Sequence, residues 1–148
     1  MFRDGFARLL VFQLGVERFA VALARVDEVI DAPAVLPLPG APRTVRGIAA
    51  THGGMMTVYD VRPLLEVGEG TDAAALVFAR DGRRVALGID DVFDSILVGE
   101  GELRAAPHAG ATEGVVVGVI RRDNELIAVL DADALLDAAT TVTDGEGK

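Results

Sequence analysis

The chain contains one pattern twice. LLVFQLGVERFAVALARVDEVI, from Leu9 to Ile30, returns as ALVFARDGRRVALGIDDVFDSI, from Ala75 to Ile96, at a constant offset of 66. Leu10, Val11 and Phe12 fall on Leu76, Val77 and Phe78, and Phe19, Ala20 and Val21 fall on Val85, Ala86 and Leu87. Val26 and Ile30 meet Val92 and Ile96. A second block returns at an offset of 71, so that Gly47, Val58, Asp60, Leu64 and Leu65 reappear as Gly118, Val129, Asp131, Leu135 and Leu136. The block order A, B, A, B marks a duplicated unit, with repeats over residues 9–65 and 75–136. A unit of about 65 residues is marginal alone, so two packed subdomains sharing a core are expected.

The chain is 148 residues long, one ordinary domain, and 51% hydrophobic. Even so, no apolar run approaches the ~18 residues of a membrane span. The start, MFRDGFARLL, has charges inside its apolar run and no small-residue cleavage site, which argues against a signal peptide. Cysteine is absent, which excludes disulfides and thiolate sites. A cytoplasmic protein with no direct membrane insertion is the expectation. The net charge of −9 and pI near 4.6 argue against nucleic acid and anionic membranes, which both demand a basic footprint. Thirteen of the fourteen basic residues are Arg, whose planar head favours partly dry protein contacts.

Most of the chain reads as strands. LLVFQLG and RFAVALA form a hairpin turning at Gly15, and two strands from Val45 onward turn at His52-Gly53-Gly54. A third hairpin turns at Arg80-Asp81-Gly82 and a fourth at Asp123-Asn124. Val26, Val29 and Ile30 have helical spacing, and DDVFDSIL repeats that short helical segment before a strand. The prolines at 33, 37, 39 and 42 forbid a central strand and impose an extended connection. Leu64 and Leu65 suggest a helical turn, Gly68 to Asp72 a joint between halves, and Gly99 to Glu113 a mobile loop. ADALLDAA forms a terminal helix, after which residues 139–148 fray.

Chemistry-bearing patterns are few. Asp90, Asp91 and Asp94 lack the Gly-containing Asp loop of a calcium site and read as a solvated helix start, so no metal is expected. His52 and His108 lie in separate loops without ligand spacing. Ser95, the only serine, is outside a nucleophile elbow, and no phosphate-binding Gly loop occurs. No enzyme and no cofactor are expected. Asp60 and Asp131 each precede a helical turn, as caps do. Gly47 and Gly118 suit backbone bends at strand starts. Of the adjacent Met55 and Met56, only one can face inward, and the other suits an adaptable contact surface.

LVFQLG, FAVAL, ARVDEVI, PLPGAP and VRGI are joined by the G-x-x-x-V-x-D-x-R of Gly54 to Arg62 and the D-x-V-x-D-x-I of Asp90 to Ile96. In this order, over residues 6–138, they resemble the CheW family, the coupling proteins of bacterial chemotaxis. The resemblance implies an all-β fold of two packed five-stranded SH3-like barrels with short helices. It also implies a non-catalytic adaptor, recruited to receptor arrays at the inner membrane, that couples two partners. These are the regulatory domain of a CheA-type histidine kinase and the cytoplasmic tip of a chemoreceptor. Position by position, it puts Val26, Val35, Gly47, His52 and Gly53 at the kinase interface, and Val85, Ala86, Leu87 and Asp91 at the receptor interface in the groove between barrels. His52 replaces an Arg of many members, Thr57 a Pro, and Asp91 a small residue. A stand-alone inhibitor or decoy of the kinase regulatory domain fits the same residues. A barrel that binds nucleic acid or a small ligand is opposed by the acidic charge and by having only seven aromatics, too few for a base-stacking platform.

Overall fold

The fold is known from a computed structural model that describes residues 1–51, 53–106 and 114–146, of which 142–146 are described by their backbone alone. Among the described residues there are eleven strands: β1 (Phe6–Leu14), β2 (Glu17–Ala22), β3 (Glu28–Asp31), β4 (Val35–Leu36), β5 (Val45–Thr51), β6 (Gly54–Tyr59), β7 (Ala74–Arg80), β8 (Arg83–Ile89), β9 (Asp91–Gly99), β10 (Val116–Arg122) and β11 (Glu125–Leu130). Two α-helices, α1 (Arg62–Leu65) and α2 (Ala132–Glu146), follow β6 and β11. No helix among the described residues is long and apolar enough to cross a membrane.

The strands form two sheets, ordered β10-β11-β2-β1-β9 and β3-β7-β8-β6-β5-β4. Their division does not follow the repeats. The first hairpin, β1–β2, joins β9, β10 and β11 from the second half, and the second-half hairpin β7–β8 lies inside the sheet built from β3 to β6. Each exchange is made by a parallel contact, Thr57↔Val85 and Val58↔Ala86 in one sheet and Ala128↔Phe19 and Val129↔Ala20 in the other. Offsets of 66 and 71 carry one pair of registers onto the other, so the repeat is preserved in three dimensions.

Three apolar clusters follow from strand alternation. Ala7, Leu9, Val11, Ile120 and Val129 fill the interior of the first sheet, and Ala49, Met56, Val58, Val77 and Ala86 that of the second. In each cluster both edge strands or their extensions contribute, with Ile96 and Leu103 in the first and Ile30 and Val35 in the second, so each sheet curls on itself. The opposite faces meet in a third and larger cluster, where Leu10, Phe12 and Phe19 pack with Leu76, Phe78 and Leu87 beneath Leu135 and Leu136 of α2. The second sheet's sixth strand is the two-residue β4, and its counterpart in the first is the lone bridge Arg104↔Val119. At both places a glycine admits the close approach of that edge. A Cβ on Gly118 would come within 2.6 Å of the Arg104 carbonyl, and one on Gly47 would fall on that of Leu36. Both glycines also sit at β-bulges.

The hairpin turns stand where the turn residues place them. The two helical segments do not. Leu23–Arg25 is a single 3-10 turn, Val29 and Ile30 pair with Leu76 and Ala75 as strand β3, and the whole of Asp91–Gly99 is strand. Residues four apart share a face under both a helical and a strand period, so Val26/Ile30 and Val92/Ile96 could not separate the two. The open edges of β7 and β1 supply backbone partners that decide for strand. Helix α2 runs on to Glu146 rather than ending at Ala138, with Ala139 fully buried. Of the loop after Gly99, Glu100–Glu102 forms a 3-10 turn, while Pro107 and His108 lie outside the described residues.

Phe12 and Phe78 are both fully buried in the shared cluster. Substituting Ala at either is expected to cost about 3–5 kcal/mol, a large part of a domain's stability. Because the sheets exchange hairpins, each variant should still unfold in one transition by calorimetry, and two separated melting steps would contradict the shared core.

Candidate functional site

Along β6, Met56 and Val58 point into the second sheet, while Met55, Thr57 and Tyr59 point toward the cluster shared between sheets. Tyr59 is covered, but Met55, beyond the reach of α2, is 79% exposed. A groove of about 900 Å³ opens there, with Ile48, Met55 and Val85 among its apolar lining beside the mostly buried Met56 and Tyr59, Arg80, Arg83 and Arg84 on its rim, and Thr140 of α2 at one side. Arg80 is bonded to Asp137 of α2, and Arg84 to Glu28, with Asp27 at 3.7 Å. The Arg84 guanidinium lies against Gly53, where a Cβ would come within 2.6 Å of its Nη1. Arg83 is exposed and has no partner among the described residues.

The repeat builds a second surface of the same shape. The offset of 71 carries Met55 and Met56 onto Leu126 and Ile127; Leu126 is 67% exposed and Ile127 buried. The offset of 66 carries Arg83 onto Glu17, also exposed and without a partner among the described residues. Equivalent places therefore carry opposite charges.

A buried ion network is centred on Arg62, whose side chain is 2% exposed. Its Nη1 donates to Asp60 (3.0 Å) and Asp72 (2.9 Å), its Nη2 to Asp90 (3.0 Å) and to the Thr71 carbonyl (3.2 Å), and its Nε to Asp90 (3.3 Å). Arg46 of β5 adds bonds to Asp60 (3.2 Å) and Asp72 (2.9 Å). Asp90 also accepts the backbone N–H of Gly15 at 2.6 Å and of Thr71 at 2.8 Å. The β1–β2 turn, the joint between halves and the β8–β9 corner are thus tied to α1. Burial opposes the Arg62 charge, but hydrogen bonds to Asp72 and Asp90 and the nearby Asp60 outweigh it and raise its pKa. Burial likewise opposes the Asp90 charge, and the Gly15 N–H, the Arg62 guanidinium and the Thr71 N–H overcome it, holding this carboxyl below its ordinary range.

The sequence-derived site residues fall into several environments. Val26 is half-buried against the shared cluster, and Val35 lies in the edge strand β4, packed into the second sheet. Gly47 is at the bulge beside β4, Gly53 is exposed at the groove, and His52 lies outside the described residues. Val85, Ala86 and Leu87 are buried in β8, between β6 and β7, so the side chains of Ala86 and Leu87 offer no surface to a partner. That corrects their placement at the receptor interface; only Val85 touches the groove, at 8% exposure. Asp91 is exposed, its Oδ1 accepting the Val92 N–H at 2.8 Å. Asp90 is not part of a solvated helix start: it turns inward onto Arg62. Asp131 caps α2 through the Ala134 N–H (3.0 Å), and Asp60 accepts the Arg62 N–H (3.0 Å) as well as its guanidinium. Among the described residues no group of three or more His, Asp or Glu is arranged to hold a metal.

The CheW-like domain family matches residues 8–140. The chemotaxis protein CheW of Bacillus subtilis (strain 168) is 23% identical over 135 residues, covering 88% of this chain and 86% of the relative. That of Rhizobium meliloti (strain 1021) is also 23% identical, over 89% of this chain and 88% of the relative. The crystal structure of the scaffolding protein TtCheW from Thermoanaerobacter tengcongensis shares the fold with a TM-score of 0.73 at 21% identity, over 84% of this chain and 88% of that one.

Replacing Arg62 by Met leaves three carboxylates facing one another and is expected to destabilise the protein by about 3–5 kcal/mol in urea titration. Asp90 adds a pH dependence of known sign. Its folded pKa lies below the unfolded value of about 3.9, so its contribution is complete above that pH and is lost as pH falls through the folded pKa. Asp90→Asn should lower stability at pH 7 and flatten the loss of stability below about pH 4 in acid titrations followed by circular dichroism.

Proposed function

The chain belongs to the CheW-like domain family, and from that premise we propose that it is a non-catalytic adaptor coupling chemoreceptors to a CheA-type histidine kinase. The kinase's regulatory domain and the receptor's cytoplasmic tip are the two partners, and the protein works as a cytoplasmic component recruited to receptor arrays at the inner membrane. The supporting observation is the doubled surface. A rigid two-sheet body presents an exposed apolar residue at each of two equivalent places, Met55 and Leu126, with unpaired charges of opposite sign beside them. Such a body is suited to holding two different proteins at a fixed separation, and exposed Met suits an adaptable contact. Val26, Val35, Gly47, His52 and Gly53 remain the proposed kinase side. Asp91 and the groove edge at Val85 remain of the proposed receptor side.

Co-purification of the tagged full chain from its own cells, followed by identification of bound proteins, tests this reading. Both a histidine kinase and a chemoreceptor should be captured. A kinase without receptors would mean a decoy or inhibitor, and neither would defeat the adaptor reading. Asp91→Arg is expected to keep the melting temperature, reduce receptor capture and leave kinase capture intact. Ala86→Glu puts a charge between two buried clusters and should instead lower the melting temperature by roughly 10 °C or more, losing both partners together.

A further inference from the structure

The two repeat-related surfaces differ most in charge. Continued two residues beyond its first pair, Thr57↔Val85, the parallel register of β6 and β8 sets Met55 against Arg83, and continued one residue beyond Ile127↔Arg18, that of β11 and β2 sets Leu126 against Glu17. The protein carries a net charge of −9, yet the groove at Met55 has three arginines on its rim. Asp81 is the one acidic residue among the described residues that line it. Arg83 has no partner there, and a guanidinium engaged by one carboxylate, as in Arg80, keeps further N–H donors for a ligand. The apolar lining continues the row whose inner members, Tyr59 and Leu87, are sealed in the shared cluster.

We infer that this groove takes an acidic, apolar-faced segment of another protein, its apolar side chains over Ile48, Met55 and Val85 and its carboxylates against Arg83. At the Leu126 surface Glu17 stands in the place of Arg83 and disfavours the same segment, against the opposing pull of Arg121, which is paired with Leu126 across the hairpin and donates to Asn124. The inference rests on the adaptor reading for the occupant's being a protein, but the preference itself can be measured without either signalling partner. A second copy docking by the same groove would bring Arg83 against Arg83, which like-charge repulsion opposes.

The test uses the full-length, isotope-labelled chain and two synthetic amphipathic helical peptides with identical leucine spacing, one with Glu on its polar face and one with Lys. The Glu peptide should shift the methyl signals of Ile48, Met55 and Val85 while those of Val119 and Leu126 stay in place. Arg83→Glu should weaken its binding roughly tenfold, the effect of reversing one exposed charge pair. Glu17→Arg should open a second site, seen as new shifts at Leu126. Both positions are exposed, so unchanged melting temperatures will show that the fold is intact. The inference is overturned if the Glu peptide does not bind, if its shifts spread over the surface or centre on Leu126, or if Arg83→Glu leaves affinity unchanged. It is also overturned if sedimentation shows the free chain dimerising through a contact that Arg83→Glu abolishes, since the occupant is then a second copy. Failure of the peptide with both partners still captured from cells would remove the groove's preference and leave the adaptor reading standing.

Discussion

A guanidinium sealed from water must find its counter-charges inside the protein, and Arg62 finds three, on segments far apart in sequence. Asp60 comes from the end of β6, Asp72 from the joint between halves and Asp90 from the corner between β8 and β9. Removing two or more unit charges from water costs several kcal/mol each, so such a cluster persists only where hydrogen bonds meet nearly all its donors. Here the guanidinium makes five, one of them to the Thr71 carbonyl, and the Gly15 and Thr71 N–H groups add two more to Asp90. The positions of the joint and of the first hairpin turn thereby become fixed relative to the second sheet. The equivalent corner of the first sheet shows the contrast. There Asp133 of α2 stands in the place of Arg62 and Ala24 in that of Asp90, and Asp133 meets Arg25 of the 3-10 turn in an exposed pair worth little in water. One corner of the duplicated body is locked electrostatically, and the other is held by the apolar face of α2.

The exchange of hairpins gives the shared cluster its form. Each sheet turns one face inward on itself and the other toward its partner, so no strand face in the centre of the molecule is left to solvent. That is why β8 is buried on both sides. It is flanked by β6 and β7, with Ala86 in the interior of the second sheet and Val85 and Leu87 in the shared cluster. The exposed apolar members of these rows, Met55 and Leu126, lie toward the ends of β6 and β11, where the rows run out from under the covering elements.

Much of this was legible in the residues. Asp81-Gly82 and Asp123-Asn124 announce their turns because Asp81, Gly82, Asp123 and Asn124 adopt the positive φ those turns require. The duplication, the cap at Asp131, and the split between Met55 and Met56 follow from spacing alone, whereas at Asp60 the capping position of α1 is taken by Val61 and the carboxylate serves Arg62. The pairing of hairpins across the repeats does not, because an offset shows which residues are equivalent and not which are neighbours. Only the family resemblance puts Val85, Ala86 and Leu87 at an interface, and the sequence offers no check on it, because a strand's alternation is silent about what covers its second face. Arg62 stood in a recognised pattern with Asp60, but Asp72 and Asp90 reach it through turns that no local period encodes. The surface pair Met55/Leu126 was available from the offset of 71, and needed only exposure to become meaningful.

The parallel contact between β2 and β11 also sets an order of events during synthesis. Phe19 waits for Ala128, a residue made more than a hundred positions later, whereas every strand of the second sheet is complete once Ile89 has been translated. At about 5–20 residues per second, the first hairpin leaves the ribosome roughly 5–20 s before its last neighbour exists. Through that interval its apolar side chains, Phe12 and Phe19 among them, have the second sheet and, once Gly99 is made, the neighbouring strand β9 to rest on. The segment made first is therefore the last to be enclosed, and the newborn chain depends on the already finished second sheet to keep it from sticking elsewhere.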